Sequence, residues 1–216
     1  MQGSTRRAAF GFLSAASAGV AGATLASGQA QAKSGQPTLD QLAARMDASD
    51  SHRQITDVLY LYARGWDRLD ESILRDCFWP DSRHQHGGFK GLSVDFIARG
   101  LASMAKVKGS SHLITNPWVQ VKGDKALSEC YFLAHHRRTN RYGTDEEDYF
   151  IKGRYIDRFE RRGGVWKIAY RRGLSDFERI EPRTDGPLAT APDDQISHRG
   201  AADPLYAMIA DFQAGR

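Results

Sequence analysis

Apolar residues along the chain follow one period in its first half and another in its second. Ile55, Val58, Leu59, Tyr62, Ala63 and Trp66 recur every three or four residues, the stripe of an amphipathic helix. Asp50 or Ser51 stands where a cap for that helix belongs. Ahead of it, Leu39, Leu42, Ala43 and Met46 predict a short helical preamble within a linker over 33–49. A second, short helix is predicted over 71–78, stopped by Pro80-Asp81. A short strand and turn follow over 83–90, around Gly87-Gly88. A third helix is expected over 93–106, with Phe96, Ile97, Leu101 and Met104 on one side. From His112 the period becomes two, as His112, Ile114 and Asn116 alternate with Leu113 and Thr115. Strands are predicted over 126–139, 149–160 and 165–178, divided by Lys122-Gly123-Asp124-Lys125, a polar loop over 140–147 and Gly163-Gly164. Helices followed by long antiparallel strands give an α+β order. The expected architecture is a cone-shaped α+β barrel, with three N-terminal helices packed in a curved, mostly antiparallel sheet and a cavity on its concave face.

The ends of the chain read differently. Arg6-Arg7, a mildly apolar run rich in Ala, Gly and Ser, and Ala30-Gln31-Ala32 have the form of a twin-arginine export signal over 1–32 with a small-x-small cleavage site. Its glycines make it a poor permanent membrane span. The expectation is therefore a periplasmic protein, free of the membrane once the signal is removed. Residues 33–180 form the expected domain. The tail over 181–216 is rich in Pro, Ala, Asp and Gly and ends in an amphipathic stretch from Leu205 to Phe212 that suits packing on the domain or on a neighbouring subunit.

Length and charge narrow the field further. The chain has 216 residues, room for one domain with a sizeable core. Its formal charge of +4 falls to +2 without the leader, where Arg6 and Arg7 are the only charged residues. Basic pairs such as Arg137-Arg138 and Arg171-Arg172 are interspersed with acids, so there is no coherent stripe for nucleic acid. Cys77 and Cys130 lie far apart in sequence; an oxidising compartment would allow them to pair, and two buried free thiols is the preferred reading.

Two residues carry candidate chemistry. Asp67 ends the first long helix beside its apolar stripe, and His112 opens the inward side of a strand. A carboxylate bonded to one imidazole nitrogen fixes the tautomer and frees the other nitrogen to take a proton. Such a dyad needs no metal and no cofactor. His84-x-His86, His112 and His135-His136 supply enough nitrogens for a metal, but no helical H-x-x-x-H pair or thiolate spacing organises them. There is no G-x-S-x-G elbow, no G-x-G-x-x-G and no P-loop.

Four blocks in order resemble the SnoaL-like group of the nuclear-transport-factor-2-like superfamily: Tyr62-Ala63-Arg64-Gly65-Trp66-Asp67-Arg68-Leu69-Asp70, then Phe78-Trp79-Pro80-Asp81 with His86-Gly87 and Gly91, then His112-Leu113-Ile114-Thr115-Asn116, then the hairpin from Asp157 through Gly163-Gly164 to Ile168. The likeness spans about 40–178. This group includes scytalone dehydratase, hexachlorocyclohexane dehydrochlorinase and bile-acid 7α-dehydratase, which eliminate without a cofactor, often as trimers. The resemblance implies His112 as base and Asp67 as its orienting acid. It also places Tyr62 at the pocket, His135 at the position of a second polar group, with His136 out of phase, and Arg171 where relatives hold a pocket arginine. Trp66, Phe132, Tyr149 and Arg83 are the expected substrate contacts, suited to an apolar, ring-bearing small molecule. A homo-oligomer, trimer or dimer, is implied. Isomerisation, ring closure, or carbon–carbon cleavage releasing a small aldehyde from an aromatic diol would suit the same base. A non-enzymatic binding module would suit the same fold. The long acidic loop over 143–148 and the extended tail depart from the group's pattern.

Overall fold

A computed structural model describes residues 36–186 and 190–216. The export signal expected over 1–32 lies outside the described residues. Among these, no helix is long and apolar enough to cross a membrane.

The first helix, α1, runs unbroken over Leu39–Arg68 and absorbs the preamble expected to be separate. It starts from Thr38, not from Asp50 or Ser51: the Thr38 side chain accepts from the Gln41 N–H while the Gln41 side chain accepts from the Thr38 N–H. No Gly or Pro interrupts 39–64, so nothing stops propagation. The first turns are exposed, and burial begins at Ser51 and follows Ile55, Leu59, Tyr62, Ala63 and Trp66. Leu69 closes the helix in the left-handed region (φ 55°, ψ 36°), its N–H reaching the carbonyls of Gly65 and Trp66. That stop leaves Asp67 in the last turn. Asp70 then caps α2, Glu71–Asp76.

β1 covers Phe78–His86, where the sequence predicted helix as far as Phe78 and strand only from 83. Pro80 is accommodated because the β1 register against its neighbour is irregular between Phe78 and Arg83, where no ladder bond is required of it. β2 (Phe89–Leu92), α3 (Ser93–Met104), β3 (Gly109–Lys122), β4 (Lys125–Thr139), β5 (Glu146–Arg162) and β6 (Val165–Pro182) follow. They form one six-stranded sheet in the order β2-β1-β6-β5-β4-β3. All neighbours are antiparallel except β1 with β6. The inner face buries Cys130, Phe132, Ala134, Tyr155, Phe159 and Ile168 against Ile55, Leu59, Tyr62 and Trp66 of α1 and Ile97 of α3. Both cysteines are buried and unbridged, and burial pushes each thiol up to about 12. Gly153 permits close packing: a Cβ there would stand 2.0 Å from the Leu174 carbonyl oxygen.

The tail returns to the domain. Asp203 caps the last helix, α4 (Pro204–Gln213), and its carboxylate also meets Arg64 at 3.1 Å. Tyr206 donates to Asp70 at 2.5 Å. Arg199 donates to the carbonyls of Met104 (3.0 Å) and Val107 (2.5 Å), binding the end of α3, and to that of Asp67 (3.3 Å).

Candidate functional site

The end of α1 and the start of β3 bring Asp67 to His112. Asp67 holds it at two points: Oδ2 accepts the His112 backbone N–H at 2.9 Å, and Oδ1 lies 2.7 Å from Nδ1. Both side chains are largely buried, 13% and 10% exposed. The backbone bond fixes the carboxylate, so the imidazole is oriented by the chain and not only by its own rotamer. With Nδ1–H donated to Asp67, Nε2 is the basic nitrogen. A cavity of about 240 Å³ borders the pair, lined by Tyr60, Ala63, Arg64, Asp67, Arg68, His112 and Ile114.

His112 Nε2 faces a second imidazole, that of His136, whose Nε2 is 3.4 Å away with ring centroids 5.1 Å apart. This corrects the sequence expectation, which placed His135 at the site and His136 out of phase. On β4 the buried positions are Ala126, Ser128, Cys130, Phe132 and Ala134, and a period of two continues to His136. His135 is on the opposite face, bonded to Asp148 at 2.7 Å and stacked on Phe150. Burial holds His136 neutral, its pKa pushed down to about 4, with His112 adding to the effect. Tyr149 lies across the ladder from His136, ring centroids 6.2 Å apart, and donates to Glu178. Its hydroxyl is pushed up to about 12 by partial burial and by that carboxylate.

Arg171 is fully buried and forms a bidentate pair with Asp157, at 2.8 and 2.6 Å. Burial pushes the Asp157 carboxyl up and the guanidinium pulls it back; the geometry is that of an ion pair. The guanidinium carbon lies 4.0 Å from the ring centre of Tyr62 and 4.3 Å from that of Tyr155. Tyr62 itself is buried among Trp66, Phe78 and Tyr155 in edge-to-face contacts. Trp66 packs edge-on to Phe96, and Phe132 stacks on Tyr155 at 4.5 Å. Of the expected substrate contacts, Trp66, Phe132 and Tyr149 thus share the inner face. Arg83 does not. It is exposed, because alternation on β1 turns Ser82 and His84 inward and Arg83 out.

Two further hollows are lined by neither residue of the dyad. One of about 600 Å³ is bordered by Arg68, Ser111, His135, Arg137, Arg183 and Arg199, whose cations are mostly tied to Asp148, Asp185, Glu146 or backbone carbonyls. The other, about 520 Å³, follows the outward row Gln120, Leu127, Arg158 and Tyr170. The burial and hydrogen bonding of the dyad outweigh cavity size in marking the site.

Comparisons with known proteins place the fold. The solved structure of hexachlorocyclohexane dehydrochlorinase LinA-type3 from Novosphingobium barchaimii LL02 is similar to the chain, with 22% identity and a TM-score of 0.57 over 66% of this chain and 99% of that one. A protein from Novosphingobium aromaticivorans, provisionally named a scytalone dehydratase, matches at 21% identity and a TM-score of 0.56 over 68% of this chain and 99% of that one. Kfla4162 from Kribbella flavida matches at 17% identity and 0.54 over 63% and 95%. At such identities these likenesses show the fold. No significant match to a curated protein was found. The family model of the SnoaL-like domain matches residues 47–172, the span that carries α1 from Asp47 onward, both residues of the dyad and the sheet as far as Arg172 of β6, and the chain belongs to that family.

Proposed function

We propose that the protein is a cofactor-independent lyase that eliminates water from a hydroxylated aromatic, alicyclic or steroid-like small molecule. The observation that carries this reading is the two-point hold of Asp67 on His112. His112 Nε2 takes a proton from carbon beside an activating group. The C–H electron pair becomes the new double bond, and the carbon–oxygen bond breaks. The imidazolium, stabilised by the Asp67 carboxylate, returns its proton to the departing hydroxide, directly or across the 3.4 Å gap to neutral His136. Water leaves and the dyad is restored. An acid–base participant of this kind contributes roughly 10²–10⁴-fold.

The aromatic inner face of Trp66, Phe96, Phe132 and Tyr155 suits a ring. Export to the periplasm and assembly as a trimer or dimer are part of the same proposal. Exposed Leu113, Trp118, Leu133 and Phe177 on the outer sheet face suit such assembly.

The test is turnover of a panel of hydroxylated ring compounds by the protein with and without chelator. Chelator-insensitive formation of a dehydrated product is expected. Products of isomerisation or of carbon–carbon cleavage would replace elimination by those reactions.

A further inference from the structure

Deeper on the inner face lies a set of polar atoms that the proposed reaction does not use. His84 and Arg171 are direct cross-strand partners on β1 and β6, and His86 is opposite Gly173 two residues on. His84 is 1% exposed and Arg171 is fully buried. Both ring nitrogens of His84, Nδ1 of His86 and Nη1 of Arg171 are buried without a hydrogen-bond partner. A native fold rarely leaves such groups unmet, and one ring nitrogen of His84, Nδ1 of His86 and Nη1 of Arg171, at neighbouring ladder positions, call for a shared partner. Their surroundings are ring-shaped and apolar. Phe96 stacks on His84 at 3.8 Å, and Phe132 and Tyr155 flank His86 at 6.3 and 5.9 Å. The His86 ring lies over Gly173, where a Cβ would come within 2.6 Å of it.

The chemistry of the set selects its ligand. Burial, with the Arg171 charge adding to it, keeps both imidazoles neutral, pushing His84 down to about 2 and His86 down to about 4. A neutral imidazole presents one donor and one acceptor, while Arg171 Nη1 only donates. A carboxylate, which only accepts, would leave the imidazole acceptor unmet and set a second anion near buried Asp157. A methyl group would leave every atom unmet. A hydroxyl both accepts and donates.

We propose that His84, His86 and Arg171 form a subsite for a hydroxyl group carried on the substrate ring, distinct from the position that reacts at His112. The assignment rests on the reading of the inner face as a substrate site, and it makes the substrate a ring with at least one retained hydroxyl.

Calorimetric titration of the full chain with 2-naphthol, 2-methylnaphthalene and 2-naphthoate tests it. These share one ring system and differ in the group offered. The wild type is expected to bind 2-naphthol at least about tenfold more tightly than either of the others. His84→Phe keeps the stack on Phe96, and should bind 2-naphthol and 2-methylnaphthalene equally without a fall in Tm. His112→Ala should keep the preference for 2-naphthol. Equal binding of the three compounds by the wild type, or binding of none, overturns the subsite. A lowered Tm in His84→Phe also overturns it, because structural water would then be the partner. A preference lost in His112→Ala and kept in His84→Phe would put the hydroxyl at the dyad, overturning this assignment while leaving the proposed base intact.

Discussion

Lowering the pH from 7 to 5 should unfold this protein's stability curve in a way its buried imidazoles determine. His84, His86 and His136 are held neutral by burial, at about 2, about 4 and about 4. Each returns to an ordinary value near 6.5 on unfolding. The sign follows from proton uptake: below about 6.5 the unfolded chain binds protons that the folded chain refuses, so stability falls with pH. The slope approaches ~1.4 kcal/mol per pH unit for each histidine. At pH 5 each has removed about 2 kcal/mol, so the three together are comparable with the whole stability of a small domain, about 5–15 kcal/mol. Carboxylates with lowered folded values act below this window, while Asp157, raised by burial against the pull of Arg171, acts in the opposite sense and reduces the slope. Asp70, Asp148 and Asp203 have lowered values, Asp70 through Tyr206 and Ile73, Asp148 through Arg137, and Asp203 through its capping bond to Leu205. Their stabilisation is lost only as pH falls below the ordinary carboxylate range. Urea denaturation followed by tryptophan fluorescence at pH 7, 6 and 5 measures the effect, and His84→Phe should remove about a third of it. An unchanged unfolding free energy between pH 7 and 5 would mean that these imidazoles are not held neutral by burial.

Other outcomes follow from single contacts. Asp157→Ala leaves the buried Arg171 guanidinium unpaired and should cost about 3–5 kcal/mol in urea denaturation, whereas replacing both partners by apolar residues should cost much less. Gly153→Ala drives a Cβ to 2.0 Å from the Leu174 carbonyl oxygen and 2.8 Å from the Phe132 ring, and should lower stability by about 3 kcal/mol or more, read as a fall in Tm. Arg199→Gln removes the charged donor that joins the carbonyls of Asp67, Met104 and Val107; a loss of about 1.5–3 kcal/mol is expected by the same measurement.

The sequence was legible where a period or a punctuating residue decided the matter. The stripe from Ile55 to Trp66 set the buried face of α1, and the glycine turns set the strand breaks. Asp67 and His112 were legible as a pair because each alone is an unusual residue beside an apolar face. The extension of α1 back to Leu39 was written in the absence of any breaker and in the Thr38–Gln41 box, a signal weaker by eye than Asp50-Ser51. Pro80 misled because a strand tolerates proline where its register slips, and between Phe78 and Arg83 β1 advances five residues against two of β6. His135 and His136 illustrate a different limit. Phe132 and His135 were both expected inside, yet a two-residue period cannot turn both to one face; extending the parity of Phe132 by four residues gives His136. The same parity turns His84 inward and Arg83 outward. The pairing of Arg171 with Asp157 and the return of Arg199 to α3 join residues distant in sequence, which no local pattern encodes.

Asp67 and His112 are proposed to act as one acid–base unit. The most direct measurement is the turnover number, by mass spectrometry with chelator present, of wild type, Asp67→Asn and His112→Ala on the first hydroxylated ring compound that the wild type dehydrates. A product lighter by one water is expected in the wild type and a loss of roughly 10²–10⁴-fold in each variant, with folded-state melting retained. Turnover in either variant equal to the wild type, or binding of every compound with none converted, would contradict it.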